Sequence, residues 1–244
     1  MSARRILKLA GRDTETFLQG LITNDIAGLD EGLIYAALLT PQGKFIADFF
    51  LLRQDDGVLL DVAEPLADDL KKRLTMYKLR ADVTITKSDL YLQRGTGPQP
   101  EDAHADPRHP ALGWRRYSAD APLDDGTDWD AIRVAHCIPE TGIELTPDTF
   151  ILEMGFDLLN GVDFRKGCYV GQEVTARMRH KTELRKGLRR VRIKGSAPVG
   201  TPITAGDKVA GTLFTQSGEH ALAYLRFDRA TDDMKAADAT LSPA

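Results

Sequence analysis

The run Leu33-Ile34-Tyr35-Ala36-Ala37-Leu38-Leu39-Thr40-Pro41-Gln42-Gly43-Lys44-Phe45-Ile46-Ala47-Asp48-Phe49-Phe50-Leu51-Leu52 holds two apolar stretches parted by a Pro-Gln-Gly turn. Apolar runs of this length bounded by turn residues read as two paired strands, Leu33–Thr40 and Phe45–Leu52. Outward from the hairpin, Val58–Val62 supplies a third strand, and Pro65 sits well at the first position of a helix. That helix carries Leu66, Leu70, Leu74 and Tyr77 as a stripe, with Asp68/Lys72 and Asp69/Arg73 spaced i,i+4. On the other side, Asp13 is placed to cap a helix bearing Phe17, Leu18, Leu21 and Ile22, ending near Asn24-Asp25. Val83–Thr86 alternates as a strand and Leu90–Leu92 begins another. Strands interleaved with two helices predict a ferredoxin-like α+β lobe over residues 1–92.

Residues 98–130 hold five of the twelve prolines, eight acids and three bases, and read as a solvated, loop-rich connection in which Leu112–Tyr117 could form a strand. Order resumes over 131–182: Ile132–Ile138 reads as a short helix or strand, and Thr149–Leu159 has helical apolar spacing. A second α+β lobe is therefore placed over 93–182. From Leu188 the pattern is β-like, with Leu188–Ile193, Pro202–Ile203, Val209–Phe214 and Ala221–Phe227 punctuated by Gly195, Gly200, Gly206, Gly211 and Gly218. Evenly spaced short strands predict a small closed barrel over 183–244.

The 244 residues are 42% hydrophobic and 28% charged, which excludes disordered, collagenous and fibrous classes. No stretch reaches the ~20 apolar residues of a membrane span, and no signal-peptide pattern opens the chain; the reading is a soluble cytoplasmic protein with no membrane partner. Two cysteines, Cys137 and Cys168, form no CxxC pair and no metal-ligand cluster, which speaks against a preformed metal site within one chain. Charge is uneven: residues 165–194 carry eleven Lys/Arg and two acids, +9, leaving −13 elsewhere for a total of −4. Such a segment could meet RNA phosphates, a polyanionic small molecule or an acidic protein face, or be a solvated face. Tyr169 is its only aromatic residue, which argues against a nucleic-acid stacking platform.

The sharpest local feature is Arg165-Lys166-Gly167-Cys168-Tyr169-Val170-Gly171-Gln172-Glu173. Glycines bracket a cysteine, and the adjacent cations favour thiolate over thiol. The alternative is a small buried hydrophobe, the commonest fate of a free cysteine. Gln172 and Glu173 are read as orienting the loop through backbone hydrogen bonds.

The run Lys166–Glu173 resembles the K-G-C-x-x-G-Q-E motif of the YgfZ family, folate-binding proteins related to the aminomethyltransferase (T-protein) of the glycine cleavage system. Phe17-Leu18-Gln19-Gly20 with Thr23-Asn24-Asp25, Leu39–Lys44, Tyr77–Arg80 with Val83, and Val209–Leu213 resemble further family elements in the same order. The resemblance implies a T-protein-like α+β fold, two ferredoxin-like lobes and a C-terminal β-barrel around a central channel that binds tetrahydrofolate. It implies a role in maturing or repairing iron–sulfur proteins, including tRNA-thiolating enzymes; mitochondrial members act late in [4Fe–4S] assembly. An assembly factor is implied more than a turnover enzyme. The resemblance implies Cys168 as the functional thiol, supported by Lys166, Gly167, Tyr169, Gly171, Gln172 and Glu173, with three chemistries open to it: ligating a transient iron–sulfur cluster whose co-ligands come from a partner or glutathione, accepting a persulfide, or reacting with a one-carbon unit. Asp25, Arg133, Arg177 and Arg179 are the candidate folate contacts, the arginines gripping folate carboxylates. Iron–sulfur carriers or scaffolds and client enzymes are the expected partners, with the chain a monomer or a cluster-bridged dimer.

Two departures bear on the chemistry. Aminomethyltransferases have an acidic pair after the glycine hairpin, where this chain has Ala47-Asp48, and their R-x-E-x-G element matches Arg133–Cys137 without its acid or glycine. Losing a carboxylate weakens stabilisation of a cationic intermediate. A folate-dependent aminomethyl or one-carbon transferase is thus the second reading, and an RNA-binding module the third.

Overall fold

The computed structural model describes residues 3–54, 56–121, 125–181 and 183–244, with the side chain of Lys181 excepted. Residues 122–124 of the acidic connection and Thr182 lie outside the described residues. The chain forms two compact units, one of residues 2–127 and 156–176, the other chiefly of 128–155 and 177–244.

In the first unit, β1 (Arg4–Ala10), β2 (Ile34–Leu39), β3 (Phe45–Gln54), β4 (Gly57–Ala63) and β5 (Thr84–Lys87) form an antiparallel sheet in the order β2-β3-β4-β1-β5. Helix α1 (Thr14–Gln19) and a 3-10 turn (Ile26–Asp30) follow β1, and α2 (Glu64–Tyr77) follows β4. The order β5-β1-β4-β3 is the ferredoxin-like pairing of a βαββαβ unit, and β2 is an added edge strand folded onto β3 by the Pro41–Gly43 turn. Alternation explains the two sheet faces. Leu7, Leu9, Ala36, Leu38, Ala47, Phe49, Leu60 and Val62 point to one side and join Leu18, Ile22, Ala67, Leu70 and Leu74 of the helical layer in one apolar core.

The opposite face carries charge. Asp61, 1% exposed, accepts from Arg4 Nε (2.7 Å), from the Arg115 guanidinium and from the Tyr117 hydroxyl (2.9 Å). Arg108 pairs with Asp106, and the guanidinium carbons of Arg108 and Arg115 lie 4.8 and 3.7 Å from the Phe50 ring centre. Arg115 and Tyr117 come from a second small sheet of β6 (Tyr91–Gly95), β7 (His104–Ala105) and β8 (Trp114–Ser118), ordered β6-β8-β7.

The second unit holds α3 (Trp129–His136) and a closed barrel. The barrel strands are β9 (Lys186–Lys194), β10 (Pro202–Ala205), β11 (Lys208–Ser217), β12 (His220–Arg226), β13 (Met234–Ala236) and β14 (Ala239–Pro243), ordered β10-β11-β12-β9-β14-β13. Inward residues such as Val191, Ile193, Ile203, Leu213, Ala223 and Leu241 fill its interior.

Several local expectations are corrected. Asp13 makes no side-chain cap on α1; its carboxylate accepts from Asp82 N instead (2.8 Å). Helix α1 stops at Gln19, short of Asn24, although Leu18 and Ile22 are buried as expected. Tyr77 leaves the α2 stripe and is exposed, Ala67 taking a core position, and Asp68 pairs with Arg5 rather than with Lys72. The helix expected over 149–159 is one 3-10 turn, Ile151–Met154, because Gly155 adopts φ +76° and ends it. The β13–β14 hairpin was not expected, its strands being only three and five residues long.

Candidate functional site

The site is built where three distant stretches of the first unit meet. The edge strand β2 leaves backbone groups open, and Thr23 and Asn24 close them. Ala37 N donates to Thr23 Oγ1 (2.8 Å), Thr23 N donates to the Ala37 carbonyl (3.0 Å), and Asn24 Nδ2 donates to the Tyr35 carbonyl (2.9 Å). The same two residues hold the loop that leads to the cysteine. Thr23 Oγ1 donates to the Gly161 carbonyl (2.7 Å), Asn24 Nδ2 to the Asn160 carbonyl (2.8 Å), and Asp163 N to the Thr23 carbonyl (3.0 Å). A strand edge that would attract a foreign strand is thereby turned into a scaffold.

Lys166 is the second tie. It is 6% exposed, and its ammonium donates to the carbonyls of Gln19 (2.8 Å), Ile22 (2.6 Å) and Asn24 (2.8 Å). These are carbonyls at and just past the end of α1, a helix terminus that otherwise leaves acceptors unsatisfied. All three N–H donors are spent, so none remains for the Cys168 sulfur. Lys166, expected from its place in the motif to support the cysteine, anchors the loop. Burial pushes its ammonium down to about 8, while Asp25 and Asp163 act in the opposite sense.

The third tie is glycine against glycine. Gly171 has φ +85°, and a Cβ there would stand 2.7 Å from the Thr40 carbonyl oxygen and 3.2 Å from Gly43 Cα. Gly43 has φ +76°, and a Cβ there would meet Val174 at 2.9 Å. The hairpin turn therefore lies directly on the start of α4 (Gln172–Lys181). Gly167 differs: a Cβ there meets nothing within 4 Å, so it leaves open space beside the cysteine.

Between these ties Cys168 is exposed. Tyr169, 8% exposed, packs beneath, its ring centre 5.2 Å from the Lys166 ammonium, and burial raises its hydroxyl's pKa. Gln172 opens α4, and Glu173 stands in its first turn, where a negative charge suits the helix's positive end. Cys137 contrasts: it ends α3 with φ +56°, and burial pushes its thiol up to about 11. Of the two cysteines, Cys168 is the one open to solvent.

Beside the loop lies an open cleft of about 770 Å³, lined by Asn24, Asp25, Gln99, His104, Asp163 and Arg165 among others. Asp25 is half-buried; its Oδ1 accepts from Ala27 N (3.0 Å) and from Gln19 Nε2 (3.2 Å), which fixes the carboxylate at the cleft. Asn24 and Gly28 share this wall. Asp163 and Arg165 were not singled out as ligand contacts from sequence; the only signal was their position just before the cysteine motif.

Arg133 belongs to the second unit and is corrected as a folate contact. It is fully buried, and its five guanidinium N–H groups are taken by Asp130 (3.2 and 3.0 Å), Glu144 (3.0 Å), Thr215 (2.9 Å) and the Ile138 carbonyl (3.1 Å). It ties α3 to the barrel. Arg177 and Arg179 are exposed on α4. The basic segment is no single face: Lys166 is internal, Arg189 stacks on Phe227 (4.2 Å), and Arg190 donates to the Ala135 carbonyl (3.1 Å).

Among the described residues no three His, Cys, Asp or Glu side chains are grouped to hold a metal, and no helix is long and apolar enough to cross a membrane.

Across 98% of this chain and 81% of the other, the fold matches the glycine cleavage system aminomethyltransferase T from Bartonella henselae, with a TM-score of 0.72 at 11% identity. The architecture is thus that of the aminomethyltransferase T class. Residues 185–244 match the model of the CAF17 C-terminal beta-barrel domain. The mitochondrial iron–sulfur cluster assembly factor IBA57 of Mus musculus is 30% identical, covering 93% of this chain and 76% of that protein. The IBA57 homolog of Mycosarcoma maydis is 32% identical over 75% of this chain and 54% of its own length. The chain spans about half the length of the fungal relatives it matches. It belongs to the CAF17/IBA57 family of iron–sulfur cluster assembly factors. These relatives are named as mitochondrial, which overturns the cytoplasmic expectation.

Proposed function

We propose that the chain is a tetrahydrofolate-binding factor of YgfZ type that matures or repairs iron–sulfur proteins, tRNA-thiolating enzymes among its clients, through Cys168. The observation that carries this reading is the convergence of Gln19–Asp25, Thr40–Lys44 and Asn160–Thr175 to hold one exposed thiol at the end of a loop whose Asp163 and Arg165 line a polar cleft. So much fixed backbone around a solvent-open cysteine supports a reacting group over a packing residue.

The cluster is cargo. Cys168 supplies one soft thiolate, and carrier or scaffold proteins or glutathione supply the others. The cleft volume lies within the roughly 300–1,000 Å³ of small-molecule sites. Its carboxylates at Asp25 and Asp163 suit the N–H edge of a pterin, and Arg165 suits a glutamyl carboxylate. Arg177 and Arg179 are the further proposed tail ligands. Aminomethyl transfer is the weaker reading: Ala47 lies in the apolar core, and Asp48 already accepts the Tyr35 hydroxyl (3.0 Å).

Two variants separate the parts. Cys168→Ala keeps tetrahydrofolate binding and loses support of iron–sulfur enzymes in cells lacking the chain; full support by this variant removes the thiol role. Asp25→Asn raises the tetrahydrofolate Kd at least tenfold in a fluorescence titration; no binding to the unaltered chain removes the folate role.

A further inference from the structure

Helix α2 ends in Lys71-Lys72-Arg73-Leu74-Thr75-Met76-Tyr77-Lys78-Leu79-Arg80, ten residues with five cations and no acid in a chain of net charge −4. Leu79 is 86% exposed, Met76 55% and Tyr77 36%. Leu79 is no stray member of the core stripe, which runs through Ala67, Leu70 and Leu74.

Leu79 also has φ +46°. It is the second residue past the end of the helix, where glycine is the usual occupant because a Cβ is strained in the left-handed region. The chain thus bears two costs at one position, a strained backbone and an exposed leucine. The segment is not frayed. Lys78 Nζ donates to the Val83 carbonyl (2.6 Å), Ala81 N to the Lys78 carbonyl (2.7 Å), and Asp82 N to Asp13 (2.8 Å). The leucine is held outward by a fixed turn.

Charge tells what covers it. Nearby acids are engaged: Asp69 with Arg73, Asp68 with Arg5 and Asp82 with Arg12. Among the described residues Lys72 and Arg80 enter no ion pair with them. Exposed Leu79, Met76 and Tyr77 within one ten-residue stretch that also carries Lys72 and Arg80 have the make-up of a protein-binding segment, with Met, Tyr and Arg enriched at such surfaces. We infer that the end of α2 docks an apolar pocket ringed by carboxylates on another protein. A second copy of this chain is disfavoured, since a two-fold contact would set Lys72 and Arg80 against their own images.

The inference does not rest on the iron–sulfur reading, and its test has its own readout. The photo-cross-linker p-benzoylphenylalanine is placed at Met76 in the full chain and irradiated in cells, with exposed Asp207 as the control position; cross-linked peptides are sequenced. The expected result is one apolar segment of another protein flanked by Asp or Glu. Its yield falls at least tenfold in Leu79→Asn and in Arg80→Glu. Asparagine tolerates the left-handed region, so Leu79→Asn melts at no lower temperature than the unaltered chain, which separates lost docking from lost folding. Cross-links only to a second copy, only to lipid, or no stronger than at Asp207 overturn the inference. So does a yield unchanged in Leu79→Asn.

Discussion

Lys166 shows how one side chain is given a task that its neighbours in sequence do not reveal. Beside Cys168 it reads as a cation for a thiolate. In the fold it reaches carbonyls of residues 19, 22 and 24, and three charge-assisted hydrogen bonds fix the loop to the end of α1. Replacing it with methionine keeps the length of the side chain and strands three carbonyls. Lys166→Met should cost about 3 kcal/mol of stability, read as a lower urea midpoint with unchanged slope, and should raise amide exchange across 19–25 and 163–169. Arg133 is the complementary case. A cation near a family motif suggested a ligand contact; five satisfied donors in a buried site give it to the scaffold instead. Residue type was legible in both cases, and partner identity was not.

At the level of elements, period and turn chemistry served well. The hairpin, α2 and the longer barrel strands follow from apolar alternation, a helical stripe and glycine or proline punctuation. Errors fell where a short stretch was overruled by its surroundings. Apolar spacing over 149–159 suggested a helix, yet the turn at Gly155 breaks it. The contact of the hairpin turn with α4 had no local signal beyond two glycines more than a hundred residues apart. It supplies a sharp expectation: Gly171→Ala places a methyl on the Thr40 carbonyl and strains a positive φ. The variant should lose about 2–3 kcal/mol in thermal or urea unfolding, whereas Gly167→Ala, with open space around it, should lose less than about 1 kcal/mol.

Over the whole molecule, the buried charges on the second face of the sheet link stability to pH. Burial alone would push the Asp61 carboxyl up; Arg4 and Arg115 outweigh it and hold it at about 2. A carboxyl depressed in the folded state binds its proton more weakly there than in the unfolded chain. Its contribution, about 2 kcal/mol, is therefore present above pH ~4 and is lost as pH falls from there toward 2. Asp61→Asn should flatten this acid limb of a urea-midpoint-versus-pH curve, and at neutral pH it should cost about 3–5 kcal/mol by taking from Arg4 its carboxylate and leaving Arg115 with Asp106 alone. The sequence by itself determined the alternation of strands and helices, the closed barrel and the motif that makes Cys168 the candidate thiol, because periodicity, turn residues and contiguous motifs are local properties of a chain. Only the tertiary structure decided which carbonyls Lys166 ties, which face of β3 takes Asp48 and which Ala47, where Arg133 is spent and that Leu79 stands outside. Those outcomes depend on groups brought together by folding, the decisive ones from far apart, as Lys166 meets residues 19–24 and Arg133 meets Thr215.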